Sequence, residues 1–229
     1  MIKLNIALFI VFIFTVISFA GGISGKTLIT GKEMEVRKAG EITILKGNSK
    51  VVTDGNVMTA SKMIYDKKNS ILSAFDNVIL LSKMQSGERF EVCGNFANYY
   101  INDKKGKFWG DNTVAKYFAQ NSSSTLPIIL HAQKIYIDRN LETLSAYDNV
   151  IIETSSGTVY SDNAVFNGKT LNAIFQQKYK KRPIAHISYD DRKGFYEADE
   201  MIFNIASDNK KIIMNGGVAG KIEMENKTK

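Results

Sequence analysis

The sequence repeats itself at an offset of 72 residues, and this repeat limits the fold more than any other feature. Residues 60–79 match residues 132–151 at ten of twenty positions. Weaker copies lie at residues 97–103, 164–166 and 198–204. Each copy opens with an alanine, and these are spaced 37, 35, 32 and 34 residues apart: Ala60, Ala97, Ala132, Ala164 and Ala198. Such spacing indicates one supersecondary unit stacked several times, and the units must share a core because one alone cannot bury its apolar face.

Each unit is predicted to be a pair of β-strands. Short runs rich in Ile, Val, Thr and Tyr are bounded by Gly, Asn and Asp, as at residues 41–45, 134–138 and 186–189. No long stretch has apolar residues at helical spacing. We interpret Asp76-Asn77 and Asp148-Asn149, each followed by a valine, as turns that end the second strand of a unit. The sequence therefore predicts an all-β fold of repeated antiparallel hairpins.

Alternation along these strands predicts which side chains face the interior. Residues two apart on a strand point to the same side of the sheet, and apolar residues recur at that spacing in both long copies. The predicted inward positions are Met63, Tyr65, Leu72, Ala74, Val78, Leu80, Ile135, Ile137, Leu144, Ala146, Val150 and Ile152. Two interpretations stay open: these residues fill a packed core, or part of the interior is open and holds lipid chains.

Composition gives little support to catalysis or metal binding. The chain has one cysteine, Cys93, and two histidines, His131 and His186, which excludes an internal disulfide and disfavours a zinc site. It contains no nucleophile elbow and no phosphate-binding glycine loop. The acidic pair Asp199-Glu200 consists of neighbours that point to opposite faces of a strand. We expect no enzyme activity, no metal and no cofactor, while the net charge of +7 favours anionic partners.

The N-terminal segment, residues 1–20, is typical of a secretory signal peptide. Lys3 precedes an apolar run over residues 6–19, and Ser18 and Ala20 are the small residues that a signal peptidase reads. We predict cleavage after Ala20, which leaves residues 21–229 as one exported domain with no nucleic-acid partner. The alternative is an uncleaved membrane anchor, although the run is shorter than the roughly 20 residues that span a bilayer comfortably.

The repeat motif resembles that of the OstA-like family of lipopolysaccharide-transport proteins, and most of all its periplasmic, LptA-like members. The shared pattern is Ala-x-x-Met/Ile-x-Tyr/Ile-Asp followed by Leu-x-Ala-x-Asp-Asn-Val, which is strongest at residues 57–81 and 129–152. The resemblance extends over residues 23–222. The family's usual Gly-Asn-Val motif is kept at residues 55–57, and Asp replaces its glycine at positions 76 and 148. Asp tolerates the left-handed backbone that such a motif needs.

The resemblance implies a V-shaped β-jelly roll, or β-taco, whose two sheets enclose an apolar groove. It implies that the twelve inward positions line a groove for the acyl chains of lipopolysaccharide in the periplasm, and that basic residues at its mouth pair with phosphates. The basic clusters are residues 67–68, 104–105, 178–182 and 210–211. The implied partners are lipopolysaccharide, OstA-like transport proteins of the inner and outer membranes, and copies of the chain joined head to tail through edge strands.

Other functions remain open from the residues alone. A structural β-repeat scaffold predicts the same hairpins around a filled interior. A carbohydrate-active enzyme on a β-solenoid predicts carboxylates that converge on one surface. Within the lipid-transport hypothesis, an uncleaved segment 1–20 would give an inner-membrane-anchored component facing the periplasm in place of a soluble bridge.

Overall fold

The computed structural model describes residues 27–53, 55–83, 87–118, 127–154, 157–177, 181–189, 192–204 and 211–224. In these ranges the chain forms sixteen strands of one sheet and no α-helix. The strands are β1 (Leu28–Thr30), β2 (Glu33–Arg37), β3 (Ile42–Thr53), β4 (Asn56–Asp66), β5 (Ile71–Lys83), β6 (Arg89–Tyr100), β7 (Lys105–Phe118), β8 (Ile128–Asp138), β9 (Thr143–Thr154), β10 (Gly157–Asn167), β11 (Asn172–Gln176), β12 (Ile184–Tyr189), β13 (Arg192–Glu197), β14 (Glu200–Asn204), β15 (Lys211–Asn215) and β16 (Ala219–Met224).

The prediction of an all-β fold of repeated antiparallel hairpins is confirmed. Every strand pairing in the described ranges is antiparallel, and β3 to β10 follow one another as consecutive hairpins. The predicted signal segment, residues 1–20, lies outside the described residues.

The eight strands β3 to β10 bend near their centres. Each is 11 to 14 residues long, and the register of every pairing between them shifts once. The bends divide the sheet into two half-sheets that share these strands. The first half-sheet continues into β2 at one side and β11, β14 and β15 at the other, and the second continues into β1 and into β12, β13 and β16.

Pairs of residues in the left-handed conformation make two of these bends. Asp76 and Asn77 have φ values of 59° and 53°, and Asp148 and Asn149 have values of 66° and 54°. The interpretation of these pairs as strand-ending turns is wrong, because they are bulges inside β5 and β9. The extra residue of a bulge bends its strand, and Asp and Asn adopt positive φ more readily than other side chains.

The chain reverses at a separate set of turns. At one end of the sheet these are four-residue turns at residues 67–70, 101–104, 139–142 and 168–171. Each closes with a residue at positive φ, between 53° and 54°: Ser70, Lys104, Glu142 and Leu171. The repeat therefore encodes two kinds of local geometry, a turn at the strand end and a bulge at mid-strand.

The half-sheets pack face to face around one apolar core, which gives the V-shaped arrangement of a jelly roll. A row of directly paired side chains crosses the first half-sheet, and no member is more than 1% exposed. Its order is Leu45, Met63, Ala74, Ala97, Phe108, Ile135, Ala146, Ala164, Phe175 and Met201. Two large residues alternate with two small ones, because the 72-residue repeat spans four strands.

The five alanines that open the sequence copies are buried at or near the points where the chain passes from one half-sheet to the other. They are between 0% and 8% exposed: Ala60, Ala97, Ala132, Ala164 and Ala198. Small side chains suit these positions because the half-sheets converge there and leave little room in a close-packed interior.

The sheet is open at both sides. Among the described residues, β2 and β15 are the outer strands of the first half-sheet, and β1 and β16 are those of the second. Each presents unpaired backbone N–H and C=O groups along one side. No helix in the described ranges is long and apolar enough to cross a membrane.

The packed row predicts the effect of enlarging one of its small residues. Ala146 is fully buried between Ile135 and Ala164, so Ala146→Leu is expected to lower the free energy of unfolding by about 1–3 kcal/mol. Val165→Leu, on the outward and 40% exposed face of β10, should change it by less than about 0.5 kcal/mol. Urea unfolding measures both. An unchanged stability for Ala146→Leu would show that this part of the interior is empty.

Candidate functional site

A pocket of about 460 Å³ opens between the two half-sheets, at the end where the four-residue turns lie. We call it the mouth pocket. Its apolar floor is formed by Leu80, Phe90, Val92, Ile137 and Leu144. The first three belong to the second half-sheet and the last two to the first half-sheet. The pocket is therefore the place where the core between the half-sheets reaches the surface.

Charged residues form the rim of the mouth pocket. Lys83 ends β5, and Lys104, Arg139 and Lys169 lie in three of the four-residue turns. The carboxylates at the rim are those of Asp138 and Glu142. The pocket thus combines a hydrocarbon floor with a rim that is cationic on balance.

Three aromatic rings lie beside the mouth pocket, at the same level between the half-sheets, because Tyr117 pairs with Phe90 and Phe166 pairs with Leu144. Phe90 and Tyr117 of the second half-sheet have ring centroids 5.4 Å apart, and Phe166 of the first half-sheet lies 5.6 Å from Phe90 and 5.4 Å from Tyr117. We call these rings the aromatic cluster. Burial, and more weakly the Glu88 carboxylate, raises the pKa of Tyr117 to about 12. The phenol is therefore neutral at physiological pH, and the cluster is an uncharged contact between the half-sheets.

The space beside the aromatic cluster is too small for a lipid chain. The cavity lined by the three rings has a volume of about 30 Å³ and almost wholly apolar walls, including Leu130, Leu144 and Ile152. A volume of this size is on the scale of one or two water molecules. The gap between the half-sheets is thus filled by the protein's own side chains at the aromatic cluster, whereas it is open at the mouth pocket.

The structure places the twelve predicted positions on the inward face but in different surroundings. Leu80, Ile137 and Leu144 line the mouth pocket, and Leu144 and Ile152 line the small cavity. Six others are at most 1% exposed in the packed core: Met63, Ala74, Val78, Ile135, Ala146 and Val150. Tyr65 and Leu72 lie in the same cross-strand row as Leu144 and contribute to neither cavity.

Sequence reasoning missed most of the residues that shape the open space. Phe90 and Val92 lie two residues apart on β6, outside the weak repeat copy at residues 97–103. Phe166 ends the truncated copy at residues 164–166. The rim cations Lys83, Arg139 and Lys169 are single charges in turns or at a strand end, and only the folded sheet brings them together.

The densest basic cluster of the sequence is not at the mouth pocket. Residues 178–180 lie outside the described ranges. Lys181 lies 3.8 Å from the Asp162 carboxylate, and Arg182 Nε lies 2.8 Å from Asp199 Oδ1. The described part of this cluster is therefore occupied by ion pairs within the protein.

Cys93 is half-buried, and His186 lies between two aromatic rings. Burial, and secondarily the Glu91 carboxylate, raises the pKa of the Cys93 thiol, which disfavours the nucleophilic thiolate. His186 packs between the rings of Tyr160 and Phe195, at centroid distances of 5.2 and 4.9 Å. In the ranges that the structure describes, no group of three or more His, Cys, Asp or Glu side chains is arranged to hold a metal ion.

Comparisons with known proteins give a structural likeness only. No family model matches the chain, and no curated protein matches its sequence. Among solved structures, the chain is similar to LptH of Pseudomonas aeruginosa, described as the LptA homologous periplasmic component of the conserved lipopolysaccharide transport device. The alignment covers 72% of this chain and 94% of that chain, with 8% identity and a TM-score of 0.29. At this level of likeness, the function has to be argued from the chain's own residues.

Proposed function

We propose that the protein binds an amphiphilic lipid of the lipopolysaccharide class and shields its acyl chains during passage through an aqueous compartment. The observation that carries the proposal is the mouth pocket, where an apolar floor between two half-sheets opens to solvent. Its volume of about 460 Å³ falls within the range of roughly 300–1,000 Å³ that is common for ligand pockets.

Burial of hydrocarbon supplies the binding energy in this proposal. Each methylene moved from water to an apolar floor contributes about 0.8 kcal/mol. A chain that enters beside Leu80 and Leu144 cannot extend sideways past the aromatic cluster, because the neighbouring cavity holds only about 30 Å³. The pocket therefore takes part of a lipid's chains and leaves the polar head in water.

We place the protein in the periplasm, in contact with other transport proteins, as part of the same proposal. The repeat's resemblance to the OstA-like family and the export signal predicted at residues 1–20 support a periplasmic protein. The unpaired edges of β2, β15, β1 and β16 suit strand addition by another sheet of the same kind. Such contacts would link the chain to further transport proteins or to copies of itself.

A second candidate function, a β-repeat scaffold without lipid, has an observation of its own. The row from Leu45 to Met201 is closed to solvent, so the greater part of the interior needs no ligand to be complete. The two functions differ in whether lipid reaches the floor of the mouth pocket.

Photo-crosslinking tests whether lipid contacts that floor. A photoreactive residue at Leu144, which is 4% exposed and lines the mouth pocket, is expected to form adducts with lipopolysaccharide in cells. The matched control is Val165, which lies on the outward face of the neighbouring strand. Adducts at Leu144 alone support the proposal, and adducts at Val165 alone, or none at either position, favour the scaffold.

Filling the pocket should block binding without harming the fold. Ser82 is half-buried at the mouth pocket, so the indole of Ser82→Trp would occupy the space of an acyl chain and lower lipid affinity by about tenfold or more. Ser73→Trp, on the outward face of the same strand, is the control and should bind as the unchanged protein does. Displacement of a fluorescent fatty acid measures affinity, and circular dichroism confirms the fold. Equal affinities for the two folded variants would contradict this use of the pocket.

A further inference from the structure

We propose that the rim of the mouth pocket is a phosphate-recognition site, formed by Lys83, Lys104, Arg139 and Lys169, and that the pocket selects phosphorylated over unphosphorylated lipids of equal chain content. This inference rests on the proposed function and goes beyond it by naming the head-group chemistry and the residues that recognise it. The acyl floor supplies affinity for any lipid tail, and the rim supplies the selectivity.

The turns that carry three of these cations are joined side by side. The Arg139 N–H donates to the Lys104 carbonyl at 3.1 Å, and the Asn140 side-chain amide donates to the Asp103 carbonyl at 2.9 Å. The Gly168 N–H donates to the Glu142 carbonyl at 2.8 Å, which joins the next turn to this pair. Hydrogen bonds between turns fix the spacing of the backbone atoms from which the cations project. A site fixed in this way loses less freedom when its ligand binds.

The four cations are available to a ligand. In the described ranges, none of them lies within ion-pair distance of a carboxylate. Ammonium and guanidinium groups form strong, charge-assisted hydrogen bonds with phosphate oxygens, and arginine does so in a bidentate manner. The rim therefore offers donors whose charge is not already balanced by a close partner.

The two carboxylates of the rim have to be weighed against these cations. Burial raises the pKa of Asp138, but hydrogen bonds from the Leu141 N–H and the Lys105 ammonium outweigh it, so the pKa lies below its usual value. Lys105 Nζ lies 3.1 Å from Asp138 Oδ2, and the N–H groups of Asn140 and Leu141 donate to Oδ1 at 3.0 and 3.1 Å. Asp138 is thus already neutralised by its neighbours. Glu142 is left as one negative charge against four positive ones.

The position of the cations makes the site prefer a lipid phosphate over a free phosphate ion. They surround a floor of Leu80, Phe90 and Leu144, so an anion bound at the rim also has hydrocarbon beneath it. Inorganic phosphate gains nothing from that floor, whereas a phosphate attached to acyl chains gains from both parts of the site. The chemistry that fits best is an acylated phosphate, with chains inward and phosphate at the turns.

The test compares two lipids and two double variants. The probes are lipid A carrying its phosphates and the same lipid after enzymatic removal of the phosphates, both dispersed in one neutral detergent. Lys104→Gln with Arg139→Gln removes two rim cations. Lys67→Gln with Lys68→Gln removes the same charge from the neighbouring β4–β5 turn, whose two lysines are exposed and do not line the pocket.

The unchanged protein and the Lys67/Lys68 variant are expected to bind the phosphorylated lipid about tenfold more tightly than the dephosphorylated one. The Lys104/Arg139 variant is expected to lose that preference, keep its affinity for the dephosphorylated lipid, and unfold at the same urea concentration. The preference should also shrink as sodium chloride is raised, because exposed charges are screened.

The failures of this inference and of the proposed function are distinguishable. Equal binding of both lipids by the unchanged protein overturns the phosphate site and leaves lipid binding intact. Binding of neither lipid overturns the proposed function as well. If millimolar inorganic phosphate abolishes the preference at constant ionic strength, the rim is a free-phosphate site and the assignment to a lipid head is wrong. An equal loss of preference in both double variants would show a general charge effect, which also overturns the rim assignment.

Discussion

The mid-strand bend is the constraint on which the rest of the structure depends. An open sheet with one apolar face cannot bury that face by itself, and this sheet does so by folding across its own strands. Left-handed pairs such as Asp76-Asn77 place the bend inside a strand and not at its end. Each of the strands β3 to β10 then contributes to both half-sheets, and successive hairpins extend one continuous core. The inward face, the shared core and the gap at the strand ends all follow from this local geometry.

The interior has a closed part next to the bends and an open part nearer the strand ends. On one side, side chains of the paired row are packed without space for a ligand. On the other, the half-sheets diverge toward the four-residue turns and leave the mouth pocket between them. In the proposed function, a lipid bound there would be held at the surface of the fold and could leave without passage through the core. Shallow binding of this kind would suit release as well as capture.

The fold class and the inward face could be predicted from the sequence, because both depend on patterns between residues that are close in the chain. Strand alternation placed all twelve candidate positions on the inward side, and the repeat indicated stacked hairpins. It did not reveal which inward residues border open space, since Val150 and Leu144 have the same alternation but only Leu144 lines the mouth pocket. Sequence alone does not distinguish the bends from turns, because Asp and Asn favour positive φ in both. Of the four rim cations only Lys104 lies in a predicted basic cluster, because residues such as Lys83 and Arg139 are distant in the chain and meet only through the sheet register.

The alternation of two large and two small residues across the packed row has a consequence for how chains of this kind change in length. Adding or deleting four strands keeps the size pattern in phase, so that each pair of large side chains in the row still has a pair of small side chains next to it. Adding or deleting a single hairpin would break this phase and would create a clash or a void at the seam. Longer or shorter variants are therefore expected to differ in steps of two hairpins, which is the length of the repeat at an offset of 72 residues.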